Sequence, residues 1–341
     1  SFLLFLCSLY IVPYMLGYAN WYSKGITREI LFFVPFMQVL VIGPVVYFYI
    51  QSLLNPDFKF SKKDWIHFVP GLLYLLYSLV IFITDKLVLD EFYFYADGRD
   101  KDLKTWYQLL GLASMVYYLV LSLRKYLAYK KLIYNVVSYA DSILFRWIQN
   151  FLLAFLTLLI LRVIFFFSNP QWVQFGSQFW YFLCFALILF YISISGYTQA
   201  VKSSYVILTQ VDNNYLINEH DKSTISSVDI NKWKTQLTTL LEEDKIYKNP
   251  HLTLSDVAQR LNTNTKIISS AVNNGFEMNF NDFINHYRIE AIKEKLNKGE
   301  YHTTTLLGIA LECGFNSKST FNRAFKKSMA LSPKDYINKI S

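Results

Sequence analysis

The sequence predicts an all-α protein in two differently solvated parts. A polytopic transmembrane helical bundle over residues 1–197 is followed, after a polar linker at 198–230, by a soluble double helix-turn-helix domain at 231–341. Three observations predict it. Of the 341 residues 53% are hydrophobic, 18% aromatic and only 17% charged, which is more apolar than a single soluble core requires. The charges are unevenly divided, with 25 charged side chains in residues 1–200 and 33 in the shorter stretch 201–341. At Asn231 the pattern changes from long apolar runs to the 3.6-residue stripe of amphipathic helices.

A membrane span needs roughly 20 mostly apolar residues, since a helix rises about 1.5 Å per residue through about 30 Å of hydrocarbon. Six runs qualify: Phe2 to Tyr18, Ile30 to Ile50, His67 to Thr84, Trp106 to Leu123, Ile148 to Phe167 and Ser177 to Tyr197. The recurrence of such runs argues against a cleaved signal peptide. Trp21, Trp65, Trp106, Trp147, Trp172 and Trp180 fall near the ends of these runs, where indole favours the headgroup zone. The chain starts with Ser1 rather than Met and inside an apolar run, which suggests that the native N-terminus is missing and that six spans is a minimum. With the C-terminal part inside, eight Lys and Arg lie in inner loops (Lys59, Lys62, Lys63, Arg124, Lys125, Lys130, Lys131, Arg146) and six in outer ones (Lys24, Arg28, Lys86, Arg99, Lys101, Lys104). That is a mild positive-inside bias.

Candidate sites in this part are few. Arg162 lies within the fifth run, where a cation must snorkel, pair with another helix or meet a ligand. The outer loop Asp85 to Thr105 combines Phe92, Tyr93, Phe94 and Tyr95 with Asp97, Arg99, Asp100 and Asp102, as a ligand lid or as aromatics lying at the interface. No span contains Asp or Glu, which argues against a proton-coupled pump. Gly-rich phosphate loops, zinc helices and nucleophile elbows are missing from the sequence, so no catalytic residue, metal ligand or cofactor is assigned. Cys7, Cys184 and Cys313 are too scattered for a disulfide framework, and the five histidines, His67, His220, His251, His286 and His302, are isolated in sequence and read as packing or surface residues.

The soluble part is more specific. A first amphipathic helix, about Lys232 to Glu243, carries Trp233, Leu237, Leu240 and Leu241. In LSDVAQRLNTNTKIISSAVNN, residues 254–274, a short helix with Ser255 as its expected N-cap buries Leu254, Val257, Ala258 and Leu261. Asn262 to Asn264 turn the chain, and a second helix buries Ile267, Ile268, Ala271 and Val272 while presenting Thr265, Lys266, Ser269, Ser270 and Asn273. That polar, partly cationic face suits phosphates and base edges; for this segment alone a plain helical hairpin fits equally well. A longer helix, about Phe280 to Leu296, leads to a recurrence of the pattern at 304–327. There one helix buries Leu307, Ala310 and Leu311, Gly314 turns the chain, and a second helix buries Phe321 and Phe325. It exposes Ser317, Lys318, Ser319, Asn322, Arg323, Lys326 and Lys327. Two such units joined by one helix point to double-stranded DNA.

These residues resemble the AraC/XylS-type bacterial transcription regulators, over roughly Asp244 to Ile340. The resemblance rests on Leu254 to Asn274, on NFNDFINHYRIEAIKEKL, and above all on IALECGFNSKSTFNRAFKK followed by Ser332-Pro333 and Tyr336. The chain departs from the family at Ala330, where glycine is usual, and at Ser270, where a basic residue is common. The resemblance implies that Lys266, Ser269, Ser270 and Asn273, and Ser317, Lys318, Ser319, Asn322 and Arg323, contact DNA, with Lys326 and Lys327 on phosphates. More loosely, the front part resembles that of membrane-bound members of the family, through phrases such as GPVVYFYIQSL and FSKKDWIHFVP; this implies a seventh span before Ser1.

The function expected is that of a sequence-specific, DNA-binding transcription regulator in the inner membrane with its C-terminal domain in the cytoplasm. Its expected partners are duplex DNA and the bilayer, with an unidentified small-molecule signal and a second copy of the chain as further candidates. The alternatives are a transporter, or a passive membrane tether, with a regulatory helical tail. Residues 231–341 hold 16 Lys and Arg against 11 Asp and Glu, enough for a handful of phosphate contacts.

Overall fold

The structure, a computed structural model, describes residues 2–23, 25–55, 58–140, 146–168, 178–203 and 227–340. The described residues contain helices and turns, a single isolated antiparallel bridge and no strand. The chain separates into two compact units, residues 1–127 with 145–208, and residues 128–144 with 209–341.

The first unit contains α1 (Phe2–Tyr18), α2 (Gly25–Phe33), α3 (Val39–Leu54), α4 (Val69–Phe82), most of α5 (Thr105–Val136), α6 (Arg146–Ser168) and α7 (Phe179–Ser203). Four helical stretches, Lys62–Val88, Thr105–Val136, Trp147–Ser168 and Phe179–Tyr197, are long and apolar enough to cross a membrane, and Phe2–Tyr18 and Val39–Leu54 are shorter apolar helices. A glycine sets the crossing of α3 and α5: a Cβ at Gly111 would lie 2.4 Å from Val39 Cγ2, so only Gly lets the two backbones approach this closely. Of the tryptophans expected near span ends, Trp65, Trp106 and Trp180 are exposed, Trp21 is half-buried, Trp147 is buried in the core of this unit, and Trp172 lies outside the described residues.

The run from Ile30 to Ile50, expected as one span, is instead two helices. Pro35 has no N–H and disfavours a helical conformation at Val34, so α2 ends at Phe33 and α3 begins at Val39. Of the backbone groups freed by this break, the Pro35 carbonyl accepts from the Gln38 side chain at 2.7 Å, and those of Phe32 and Met37 are satisfied by side chains of the 92–108 region, as burial demands. Lys101 Nζ and the Tyr95 hydroxyl donate to the Phe32 carbonyl, Tyr107 donates to the Met37 carbonyl at 2.6 Å, and the Met37 N–H donates to Asp102 at 2.9 Å. The loop Asp85 to Thr105 is therefore packed onto the break, with Tyr95, Asp100, Lys101 and Asp102 buried. Arg162 resolves as a helix-pairing residue: its guanidinium donates to Gln108 Oε1 on α5 and lies over the rings of Tyr10 and Tyr181, 5.7 and 5.0 Å from their centroids.

The second unit comprises the last turns of α5 and α8 (Ser227–Glu242), α9 (Leu254–Arg260), α10 (Thr265–Ser270), α11 (Phe280–Asn297), α12 (Leu306–Glu312), α13 (Lys318–Met329) and α14 (Pro333–Ile340). Ile133, Val136, Val137 and Ala140 form a small apolar cluster of their own, and two larger cores share α11. Phe280, Phe283 and Ile284 join Leu237, Leu241, Val257, Ile268 and Val272 in the first, while Ile289, Ile292 and Leu296 join Ile309, Ala310, Phe315, Phe321 and Phe325 in the second. Most of the polar linker expected at 198–230 lies outside the described residues.

Candidate nucleic-acid interface

Each helix pair is built by caps at its ends and a tight turn between. In the first pair Thr253, not Ser255, is the N-cap of α9: its hydroxyl accepts from the Asp256 N–H at 3.2 Å while the Asp256 carboxylate accepts from the Thr253 N–H at 2.8 Å. This reciprocal box requires an acid three residues after the cap, and Asp256 supplies it only for Thr253. Asn262, at φ 48°, reverses the chain, a left-handed conformation that Asn tolerates better than most residues. The Asn264 side chain then caps α10 by accepting from the Ile267 N–H at 2.9 Å, and the helix runs on through a wider turn at Ala271–Gly275.

The second pair repeats the plan. Thr305 caps α12, accepting from the Gly308 N–H at 3.1 Å, and Ser317 caps α13, accepting from the Thr320 N–H at 3.2 Å. Its turn requires glycine, because Gly314 has φ +95° and a Cβ there would sit 2.3 Å from the Tyr247 carbonyl oxygen. The buried face of α12 differs from the expected one. Ile309, Ala310 and Cys313 face the core, whereas Leu307 and Leu311 are 36% and 48% exposed. Capping at Thr305 and closure at Gly314 fix the helix rotation, so the stripe follows Ile309 rather than the leucines. Ile267 of the first pair is likewise only half-buried.

The outward faces hold the expected residues. Lys266 and Asn273 are exposed and Ser269 and Ser270 half-buried on the second helix of the first pair. Asn273 donates to the Ser269 hydroxyl at 3.2 Å, and Asn274 to Ser270 at 3.0 Å. In the second pair Lys318, Ser319, Asn322, Arg323, Lys326 and Lys327 are arrayed along α13, all open to solvent. Ser317 is occupied in capping, and Lys327 is bridged to Asp282 of α11 at 2.6 Å. That pair is largely solvated and is worth little, so phosphate can compete for the lysine.

A residue of the NFNDFINHYRIEAIKEKL segment that is not among the expected site residues links the loop before the first pair to the turn of the second. Arg288 of α11 is 1% exposed, donating through Nε to the Tyr247 carbonyl at 2.8 Å and through Nη2 to the Asn249 carbonyl at 2.7 Å. It lies 5.6 Å from the centroid of Phe315. Burial pulls its pKa down to about 9, which leaves it cationic at neutral pH. The one signal of it in the sequence is register: it lies at the same helical stripe position as Ile284 and Ile292, and a cation in an apolar stripe must find acceptors inside the fold.

Residues 257–339 match the family model for a helix-turn-helix domain. No curated protein and no solved structure matches the chain.

Proposed function

From the premise that residues 257–339 are an AraC-type helix-turn-helix domain, we propose that the chain is a membrane-embedded, sequence-specific transcription regulator that couples a membrane or extracellular signal to promoter binding. The observation that carries this reading is the pair of capped helix units on one shared helix, each presenting a polar, cationic second helix to solvent. In this reading α10 and α13 enter major-groove segments. Lys266, Ser269, Ser270, Asn273, Lys318, Ser319, Asn322 and Arg323 read bases and nearby phosphates, and Lys326 and Lys327 hold phosphates. Ser317 contributes by capping α13.

Lipid as the solvent of the first unit is supported by its outward faces. Leu73 of α4, Leu153 of α6, and Leu187 and Phe190 of α7 are each at least 60% exposed. Apolar surface spread over several helices in this way is costly in water and suits hydrocarbon. The DNA-binding domain then faces the cytoplasm, and the signal acts by binding two states of the bundle unequally.

The test is selection of duplexes from a random library by the full-length, detergent-solubilised protein. A recovered consensus supports a regulator; retention of duplexes with no consensus marks a passive tether. Replacing Lys318 and Arg323 together by Ala should relax the consensus and cost about 1–3 kcal/mol for each base pair no longer read. Unchanged affinity and preference would reject α13 as the reading helix.

A further inference from the structure

The second unit includes a piece of chain far from the domain in sequence. Where α5 ends, Val137 forms an antiparallel bridge with Thr253, the cap of α9, and the Ser138 N–H donates to the Leu252 carbonyl at 3.0 Å. The Val137 carbonyl accepts from Asn281 at 3.4 Å. The Ser138 carbonyl and hydroxyl accept from the two Nη atoms of Arg288, at 3.2 and 3.0 Å. Val137 and Ser138 are both 0% exposed. Four polar groups of two residues are thus satisfied by one groove, between the start of the first helix pair and α11, in the manner of a strand added to an exposed edge. At 138 the groove takes a small hydroxyl residue, because the side chain is enclosed beside the Arg288 guanidinium.

We propose that this groove is a docking site for the chain's own Val137–Ser138 segment, and that its occupancy sets how tightly the domain holds DNA. The second clause rests on the function proposed above. With the segment docked, Lys266, Lys318 and Lys326 remain exposed, so docking does not act by covering the reading faces. It acts on Arg288, the group that ties the 247–249 loop to Phe315 at the turn of the second pair. The docked segment fixes this arginine and with it the setting of the two helix pairs. Because the segment follows α5 directly, a shift of that helix is delivered to the groove.

The experiment uses the full chain reconstituted in nanodiscs of phosphatidylethanolamine and phosphatidylglycerol. Facing residues of an antiparallel bridge lie within disulfide reach, so a V137C/T253C variant should cross-link on mild oxidation, read as a disulfide-linked peptide by mass spectrometry. Ser138→Leu, too large for the groove, should weaken binding about tenfold to the duplex that the wild type selects. Ser138→Ala should weaken it less, and the cysteine pair should bind at least as tightly oxidised as reduced, a comparison in which the Thr253 cap is missing on both sides. The bonds from Arg288 to Tyr247, Asn249 and Asn285 do not involve the segment, so the domain keeps its own core in these variants. Absence of the cross-link would overturn the docking site. A cross-link with unaltered affinity in Ser138→Leu would overturn control of DNA binding. A V137C/T253C chain that cross-links while the wild type selects no duplex would remove the regulator reading and leave the docking site standing.

Discussion

Single residues at the turns and ends of the helix pairs carry the sharpest consequences. Ala330 closes α13 at φ 56° with its N–H bonded to the Lys326 carbonyl at 3.0 Å, a left-handed cap that glycine adopts without penalty. Ala330→Gly is therefore expected to stabilise the protein by about 0.5–1 kcal/mol, measured as a rise in the denaturation midpoint of the second unit. Gly314→Ala should do the reverse, costing about 2–4 kcal/mol, because it combines positive φ with a clash against the Tyr247 carbonyl. A midpoint unchanged in that variant would mean the turn does not hold the 247–248 loop as described. Both positions are legible in the sequence, Gly314 as a turn and Ala330 as a departure from the resembled family. The caps are less so. Thr253 and Ser255 are equally good capping residues, and only the position of Asp256 relative to them discriminates. Leu307 and Leu311 show the limit of stripe reading in a seven-residue helix, where rotation is set by the caps rather than by which residues are most apolar.

At the scale of elements, the broken helix and its loop give a pH-dependent prediction. Burial, and next the neighbouring Asp102 carboxylate, push Asp100 up to about 7, and burial likewise raises Asp102. A carboxyl that holds its proton more tightly when folded than when unfolded stabilises the fold at low pH. That contribution fades as pH rises from about 4 through about 7. The thermal unfolding midpoint of the detergent-solubilised chain should accordingly fall between about pH 5 and pH 8. In Asp100→Asn the profile should be flatter, and identical profiles would count against the buried pair. Hydropathy finds the apolar content of this region but not the break, since averaging over Ile30 to Ile50 conceals Pro35. Nor does it show that Lys101 and Asp102 serve the freed backbone of Phe32 and Met37, a pairing across about 65–70 residues.

Across the whole molecule, modest positive charge on the DNA-binding part predicts affinity that weakens with salt, by about 0.9 log units per log unit of salt for each phosphate held. Lys326→Ala should lower that slope by about 1 while leaving sequence preference unchanged, which a titration at several salt concentrations checks. The contrast between the apolar front and the amphipathic rear is fully readable, because it is written in composition and period. The pairing of Arg288 with Ser138, 150 positions apart, is not: the stripe position of Arg288 calls for buried acceptors, but nothing in the sequence points to Ser138 as one of them. Their contact also changes what a severed chain would do. If a protease site were built into 204–226 and cut, the rear fragment would lose its covalent bond to α7 yet keep its grip on the end of α5. It should then co-purify with the front fragment until Val137 and Ser138 are displaced.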